Sequence, residues 1–329
     1  MNLLNRSLNR NWMLVLYAVL FWLPGTNSNA QGWPTRPITL IMPFAAGGST
    51  DLYGRALAEF ASRKHGITIV VENRPGAGGL IGVNAVRQAA PDGYTLGYFG
   101  STNAIALRFI DKGILVGRDV QAIGQIAKTA VITVVNPNAN SARSLAELVS
   151  YLRLNPGTTY ATVGVGSMTH MLVTAFARNN NISVVHVPYK GGAHASAALL
   201  GGEIGIGIGL DPQSTLPLIE SGQFVALAYS ARKRLKALPN VPTVYEQGFP
   251  ELGAEPFGGL IAPMGVPAAI VSKLEGLLEE ATKDSDFIAK AEAGGAQIAF
   301  ANRNEFSKAL NDITEKFGTI VRENNMKPE

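Results

Sequence analysis

Ile38-Thr-Leu-Ile-Met42, then Pro43-Phe-Ala-Ala-Gly-Gly48, then Ser49-Thr-Asp51 decides how the chain reads. Five apolar residues suit a strand buried on both faces, and the glycine-rich turn leads into a helical pattern. In that pattern Leu52, Tyr53, Ala56, Leu57, Phe60 and Ala61 recur at three- and four-residue spacing. Working outward, Ile67–Val71 is the next strand. Pro75-Gly-Ala-Gly-Gly79 turns into a short helix ending near Ala90, and Thr95–Phe99 is a third strand. Strand, glycine turn, helix, strand is the form of parallel βαβ units, so the chain is α/β.

The alternation continues with strands expected near 131–135, 159–163, 183–187, 204–208 and 224–229, and helices near 144–154, 168–179, 192–201 and 213–221. The tail turns helical. Ile270, Val271, Leu274, Leu277, Leu278 and Ala281 form one apolar face behind Pro267, and Phe306, Leu310, Ile313, Phe317 and Ile320 form another. No repeat and no compositional linker is visible. Two lobes without a linker imply that the chain crosses between them more than once. The expected division is 31–124 plus 230–329 for one lobe and 125–229 for the other, hinged near 120–130 and 224–232.

The start of the chain reads as an export signal. Arg6 and Arg10 precede an apolar run from Trp12 to Leu23, followed by Pro24-Gly25 and Ser28-Asn29-Ala30. A basic segment, a short apolar core and small residues at −3 and −1 predict a signal peptide over 1–30, cleaved after Ala30. The run is shorter than the roughly 20 residues a bilayer requires. Removing the two arginines takes the formal charge from +4 to +2, which argues against a nucleic-acid partner, as does the absence of a clustered basic face. The densest basic run, Arg232-Lys-Arg-Leu-Lys236, reads as a solvated turn. The chain has no cysteine, which excludes disulfides, thiol nucleophiles and a lipidated N-terminus. It is 47% apolar and 16% charged, with 36 Gly and 18 Pro, a balance that suits a globular protein with many tight turns.

Catalytic signatures are sparse. Neither a Walker loop nor Gly-x-Ser-x-Gly is present, and Gly76–Gly82 has the wrong spacing for a dinucleotide fingerprint. His65, His170, His186 and His194 lack the pairing of a metal site, so no cofactor or metal is expected. Ser167 and His170, three apart on one helical turn, are poorly placed as nucleophile and base. Anion binding fits better. Gly47-Gly48-Ser49-Thr50-Asp51 and Gly164-Val-Gly166-Ser167-Met-Thr169 are glycine turns entering helices, where free N–H groups and the helix dipole favour a carboxylate. Ser49 and Ser167 read either as ligand contacts or as caps of their own helices.

Several stretches, in order, carry a family resemblance: Trp33-Pro-x-Arg-Pro37, Pro43–Asp51, Val71-Glu-Asn-Arg-Pro-Gly-Ala-Gly-Gly79, Ala90-Pro-Asp-Gly-Tyr-Thr-Leu96, Gly164–His170, Val187-Pro-Tyr-Lys-Gly191 and Leu238–Gly248. They resemble the Bug-type family, the periplasmic solute receptors of tripartite tricarboxylate transporters. The resemblance implies a two-lobed, type II periplasmic binding protein, a monomer that closes on a small organic carboxylate and delivers it to a membrane permease of a large and a small subunit. Carried over by position, it implies contacts from Phe44, Ala46, Gly47, Gly48, Ser49 and Asp51, from Ser101, Thr102 and Asn103 on the loop after the third strand, and from Gly166, Ser167, His170 and Tyr189 across the cleft. Asp51 would either orient backbone or water or serve its helix structurally.

Departures from the family pattern fall at Ala198, at Gly205 and in Gly201–Gly209 before Leu210-Asp-Pro212; Asp211 is the candidate replacement for a family acid, and His194 reads as a surface residue. Two other readings stand beside the transport receptor. One is an exported hydrolase or isomerase with His170 or Asp51 as base, the other a receptor that feeds a sensor kinase.

Overall fold

β1 (Ile38–Met42) is buried on both faces. Ile41 joins a core with Val83, Val86 and Phe99. Met42 lies so close to the helix after the strand that a Cβ at Gly54 would come within 2.9 Å of its sulfur. In this computed structural model, residues 32–110 and 114–323 are described; the expected signal peptide and its cleavage site lie outside them.

The chain continues through α1 (Ser49–His65), β2 (Ile69–Asn73), a 3-10 turn at Ala77–Gly79, α2 (Leu80–Arg87), β3 (Thr95–Gly100), α3 (Ser101–Ile110) and β4 (Val120–Thr129). It then forms β5 (Ile132–Val135), α4 (Leu145–Leu154), β6 (Thr158–Thr162), α5 (Met168–Asn180), β7 (Val184–Pro188), α6 (Gly192–Leu200), β8 (Gly207–Leu210), α7 (Pro212–Glu220) and β9 (Val225–Tyr229). The last elements are β10 (Phe257–Pro263), α8 (Ala268–Ala281), α9 (Ser285–Ala293), β11 (Ala296–Asn302) and α10 (Arg303–Glu323).

One sheet has the order β11-β4-β10-β3-β1-β2, with β1 parallel to β2 and β3, and β10 antiparallel to both β3 and β4. A late strand returning between early ones is the type II arrangement. A second set holds β8-β5-β9 and the parallel pair β6-β7, which a bridge from Tyr160 to Ile206 links to the approach of β8. The fold is therefore two-lobed α/β.

The expected boundary between 124 and 125 falls inside β4, which lies whole in the first sheet. Residues 230–253, expected with the first lobe, contribute Val244 and Leu252 to the core of the second, beside Tyr160, Phe176 and Leu227. Apolar burial decides that placement.

Two strands and a helix of the first lobe's C-terminal part, β10, β11 and α9, are not among the sequence expectations. Nor is β4, in a stretch read as hinge. β10 carries Gly258-Gly259, which break the apolar pattern for a steric reason. A Cβ at Gly258 would stand 2.1 Å from the Tyr98 hydroxyl, and one at Gly259 1.9 Å from the Gly124 carbonyl. The tail helix fares as its periodicity predicts: Ile270, Val271, Leu274, Leu277, Leu278 and Ala281 are the buried residues of α8. Phe306 and Leu310 are buried in α10, while the side chain of Ile320 is outside the description.

Candidate functional site

The turn between β1 and α1 is held from within. Asp51, buried one turn into the helix, accepts from the Gly47 N–H (3.1 Å), from Arg55 Nε (2.9 Å) and from Asn73 Nδ2 (3.0 Å). The same Asn73 amide donates to the Phe44 carbonyl at 3.1 Å. Burial alone would raise the Asp51 carboxyl, but the hydrogen bonds from Arg55, Gly47 and Asn73 outweigh it and hold it below the ordinary range. Of the two roles open to Asp51, the geometry supports the shaping of backbone.

α1 has no cap of its own. Its N-cap is Gly48, which has no side chain to offer. Asp211 from the other lobe supplies the acceptor: its Oδ1 accepts from Ser49 N–H at 3.3 Å and from Ser49 Oγ at 3.0 Å. Asp211 is also the N-cap of α7, accepting from Ser214 N–H (3.2 Å) and Ser214 Oγ (2.8 Å). One carboxylate thus ties the positive ends of two helices across the lobes. α6 starts at the same point, where a Cβ on Gly192 would lie 1.5 Å from Asp211 Oδ2, so only glycine fits. The 44–51 turn docks here as well, through an Ala45 N–H to Lys190 carbonyl bond of 3.1 Å.

Beside this junction lies an inter-lobe cavity of about 100 Å³. Five of the described helices begin at it: α1 through Gly48, Ser49 and Thr50, α3 through Gly100, Thr102 and Asn103, α5 through Met168 and Thr169, α6 through Gly192, and α7 through Asp211. Phe44, Tyr53, Tyr98, Val131, Val163, Leu172 and Phe257 form its apolar walls. Asp211 is the one charged side chain on the described wall. Tyr53, only 2% exposed, brings a hydroxyl that makes no hydrogen bond; the Ser49 and Thr129 hydroxyls are near, but not in bonding geometry. Burial, foremost, raises the Tyr53 phenol far above its ordinary pKa. The neighbouring hydroxyls of Thr129 and Ser49 oppose the shift and the charge of Asp211 adds to it, so the group is a neutral donor.

A neighbouring cavity of about 370 Å³ shares Phe44 and Val163 and runs between the Gly76–Gly79 turn and Gly164, Val165 and Tyr189. Asn103 braces the Gly76–Gly79 turn by donating from Nδ2 to the Gly78 carbonyl at 3.1 Å.

Of the residues expected to touch a ligand, Phe44, Gly48, Ser49, Thr102, Asn103 and Asp211 line the first cavity, and Tyr189 lines the second. Ala46, Gly47, Asp51, Ser101, Gly166, Ser167 and His170 line neither. Ser101, Thr102 and Asn103 open α3 instead of lying on a loop, because the chain turns helical directly after Gly100. Ser49 is not a cap, since its hydroxyl donates to Asp211. Ser167 is one: its Oγ accepts from His170 N–H at 3.3 Å.

His170 Nδ1 accepts from the Gly166 N–H at 3.0 Å, and its ring stacks on His186 at 4.0 Å between centroids. Burial, then the neighbouring His170, lowers His186 to about 4. The turn facing 44–51 is therefore 190–192 with Asp211, while α5 enters the cavity with Met168 and Thr169. His194 is exposed. Sequence reasoning missed Tyr53, Met168 and Thr169 as cavity residues; Tyr53 reads as one more apolar position of α1. The basic run Arg232–Lys236 lines a third cavity, near the end of β4, with Arg234 paired to Glu246.

Two α/β lobes around a cavity ringed by helix N-termini define a solute-binding protein of the periplasmic type. Residues 54–326 match the family model described as "Tripartite tricarboxylate transporter family receptor", and the chain belongs to that family. It is 32% identical over 305 residues to protein BugT of Bordetella pertussis, covering 91% of this chain and 92% of that one. A UPF0065 protein of Cupriavidus necator is 30% identical over 298 residues, covering 89% of each.

Among solved structures, the periplasmic binding protein BugD superposes with a TM-score of 0.84 at 28% identity, covering 90% of this chain and all (100%) of that one. A Rhodopseudomonas palustris protein solved with adipate gives 0.83 at 27% identity, covering 91% and 100%. The chain is a solute-binding receptor of this transporter family, whose members and neighbours are binding proteins. Among the described residues no helix is long and apolar enough to cross a membrane.

Proposed function

We propose that the protein captures a small organic carboxylate in the inter-lobe cavity and hands it, chemically unchanged, to a membrane permease of a large and a small subunit. The observation that carries this reading is the convergence of five helix N-termini on one cavity. Helix starts present N–H groups and aligned dipoles that favour an anion without any arginine. The neighbour that holds adipate and another that holds malate support the same ligand class. Phe44, Gly48, Ser49, Tyr53, Thr102, Asn103, Met168, Thr169 and Asp211 are the proposed contact residues. The lobes part about the crossings that follow β4 and precede β10.

The protein acts as a monomer in the periplasm after removal of residues 1–30, and it catalyses nothing. His170 Nδ1 is occupied by a backbone N–H and Asp51 by three donors, so neither is a free base.

A thermal-shift screen of residues 31–329 against small carboxylates and their amides tests the proposal. At about 100 times its Kd a ligand adds roughly 2.7 kcal/mol, which raises Tm by several degrees. A shift with an acid and none with its amide is the expected result. No shift by any acid, after refolding to strip bound solute, overturns it.

A further inference from the structure

α7 belongs to the second lobe, and its first turn grips the first lobe at two separate points. Leu216 fixes the helix in the second lobe's core, beside Ile132, Leu199 and Phe224. At the N-cap, Asp211 Oδ1 accepts from the Ser49 N–H and hydroxyl across the lobes, at 3.3 and 3.0 Å. Immediately after it, Pro212 and Gln213 lie against the Gly294-Gly295 turn between α9 and β11. A Cβ at Gly295 would run into the Pro212 ring, and one at Gly294 into Gln213 Oε1. Gly295 also has a φ of 77°, so the turn suits glycine twice over.

The carboxylate is braced for this position. The Ser214 N–H and hydroxyl donate to it at 3.2 and 2.8 Å, and Ser196 of α6 donates to the Ser214 oxygen at 2.9 Å. On the first lobe, Gly48 gives α1 no side-chain cap, so Asp211 is the acceptor of the Ser49 N–H. Parting the lobes would leave that helix start to water and take Asp211 from the positive end of α1. The Ala45 N–H to Lys190 carbonyl bond would break in the same motion.

Resting on the reading of the protein as a receptor whose lobes part, we propose that Asp211 is a latch. It holds the lobes closed by capping α1 from the opposite lobe, and every group it uses belongs to the protein, so the closed form needs no solute. A solute enters or leaves only while the latch is undone. Asp211 therefore sets the fraction of open receptor, and with it the rate of capture.

The chain has no cysteine, so a spin label can be placed on each lobe by Ala269→Cys on α8 and Ser150→Cys on α4, both exposed. Double electron–electron resonance on labelled residues 31–329, refolded to strip bound solute, reads the distance between the lobes. The stripped wild type should give one distance, that of the closed structure. Asp211→Ala should raise the ratio of open to closed molecules at least about tenfold, seen as a second distance. Gly295→Ala, which pushes Pro212 away from outside the cleft, should do the same, and Ser49→Ala should do so to a smaller extent. Melting curves show which variants fold; if Asp211→Ala does not, the other two decide. A stripped wild type that is mainly open, or folded variants that keep the wild-type distance, overturns the latch. None of these readings needs a solute, so the latch can fail while an acid still raises Tm. If no acid of the thermal-shift screen binds, the receptor reading is refuted whatever the distances show.

Discussion

Tyr53→Phe removes one oxygen from a buried ring and should move stability and affinity in opposite directions. The hydroxyl is buried and makes no hydrogen bond within the protein. Burying such a group costs about 1–3 kcal/mol. Phenylalanine keeps the ring and its packing against Tyr98 and removes that cost. For a chain of this length about 1–3 kcal/mol corresponds to a rise of roughly 2–5 °C in Tm. With ligand bound the hydroxyl donates to a carboxylate, a hydrogen bond to a charged group worth about 1.5–3 kcal/mol. Its loss should raise Kd by roughly 10- to 150-fold. Calorimetric melting of the stripped protein and titration with the best acid from the screen give the two numbers separately. A variant that melts lower than the wild type and binds as tightly would refute the reasoning, because Tyr53 would then have a partner inside the protein and none in the ligand.

Other perturbations separate the shape of the cleft from its charge. Gly192→Ala drives a Cβ to 1.5 Å from Asp211 Oδ2, so the carboxylate must leave Ser49; titration should show binding weakened by about 2–3 kcal/mol. Gly48→Val is the contrasting case: the nearest atom to a Cβ there is Asp211 Oδ2 at 4.0 Å, so Tm should change little while the methyl groups occupy the cavity and affinity falls. Asp51→Asn removes the charge that holds Arg55 and Gly47, and should cost about 1–3 kcal/mol in denaturant melts at pH 7. The wild-type contribution of Asp51, whose carboxyl is lowered in the fold, is fully present above about 3.8 and should fade as pH falls through that range. His186 works in the pH window above. Its folded value is about 4 against an ordinary 6.5, so the unfolded chain binds a proton the folded one refuses, and Tm should drop as pH falls from 6.5 towards 4. His186→Gln should flatten that drop.

The elements legible in the sequence are those with a local cause. β1 and its glycine turn and the buried face of α8 each follow from periodicity or composition within a few residues. β4 and β10 are not legible, because Gly124 and Gly258-Gly259 interrupt their apolar pattern; Tyr98 and the Gly124 backbone press on Gly258 and Gly259 from neighbouring strands, and Leu278 of α8 and the Ala301 carbonyl press on Gly124. The candidate site divides in the same way. The 44–51 turn reads as a glycine-rich helix start that suits either an anion or its own cap, and the family resemblance, carried over by position, adds Thr102 and Asn103. That α1 begins without its own cap is also readable, since Gly48 has no side chain.

What completes that helix start is not readable. Asp211 lies 162 residues from Ser49, and the sequence, which offers it as a candidate replacement for a family acid, carries no sign that the two residues meet. Ser167 and His170 look like the facing contacts, yet Ser167 Oγ caps α5 and His170 Nδ1 accepts from the Gly166 N–H of the preceding turn. Local pattern alone determined an α/β chain with anion-favouring turns, because turns, caps and helical faces depend on neighbouring residues, and the ordered family motifs added the two-lobed receptor. Only the tertiary structure decided which turns meet, that Asp211 already fills one anion seat and that Tyr53 points an unpaired hydroxyl at the cavity, because contacts between the lobes leave no periodic trace along the chain.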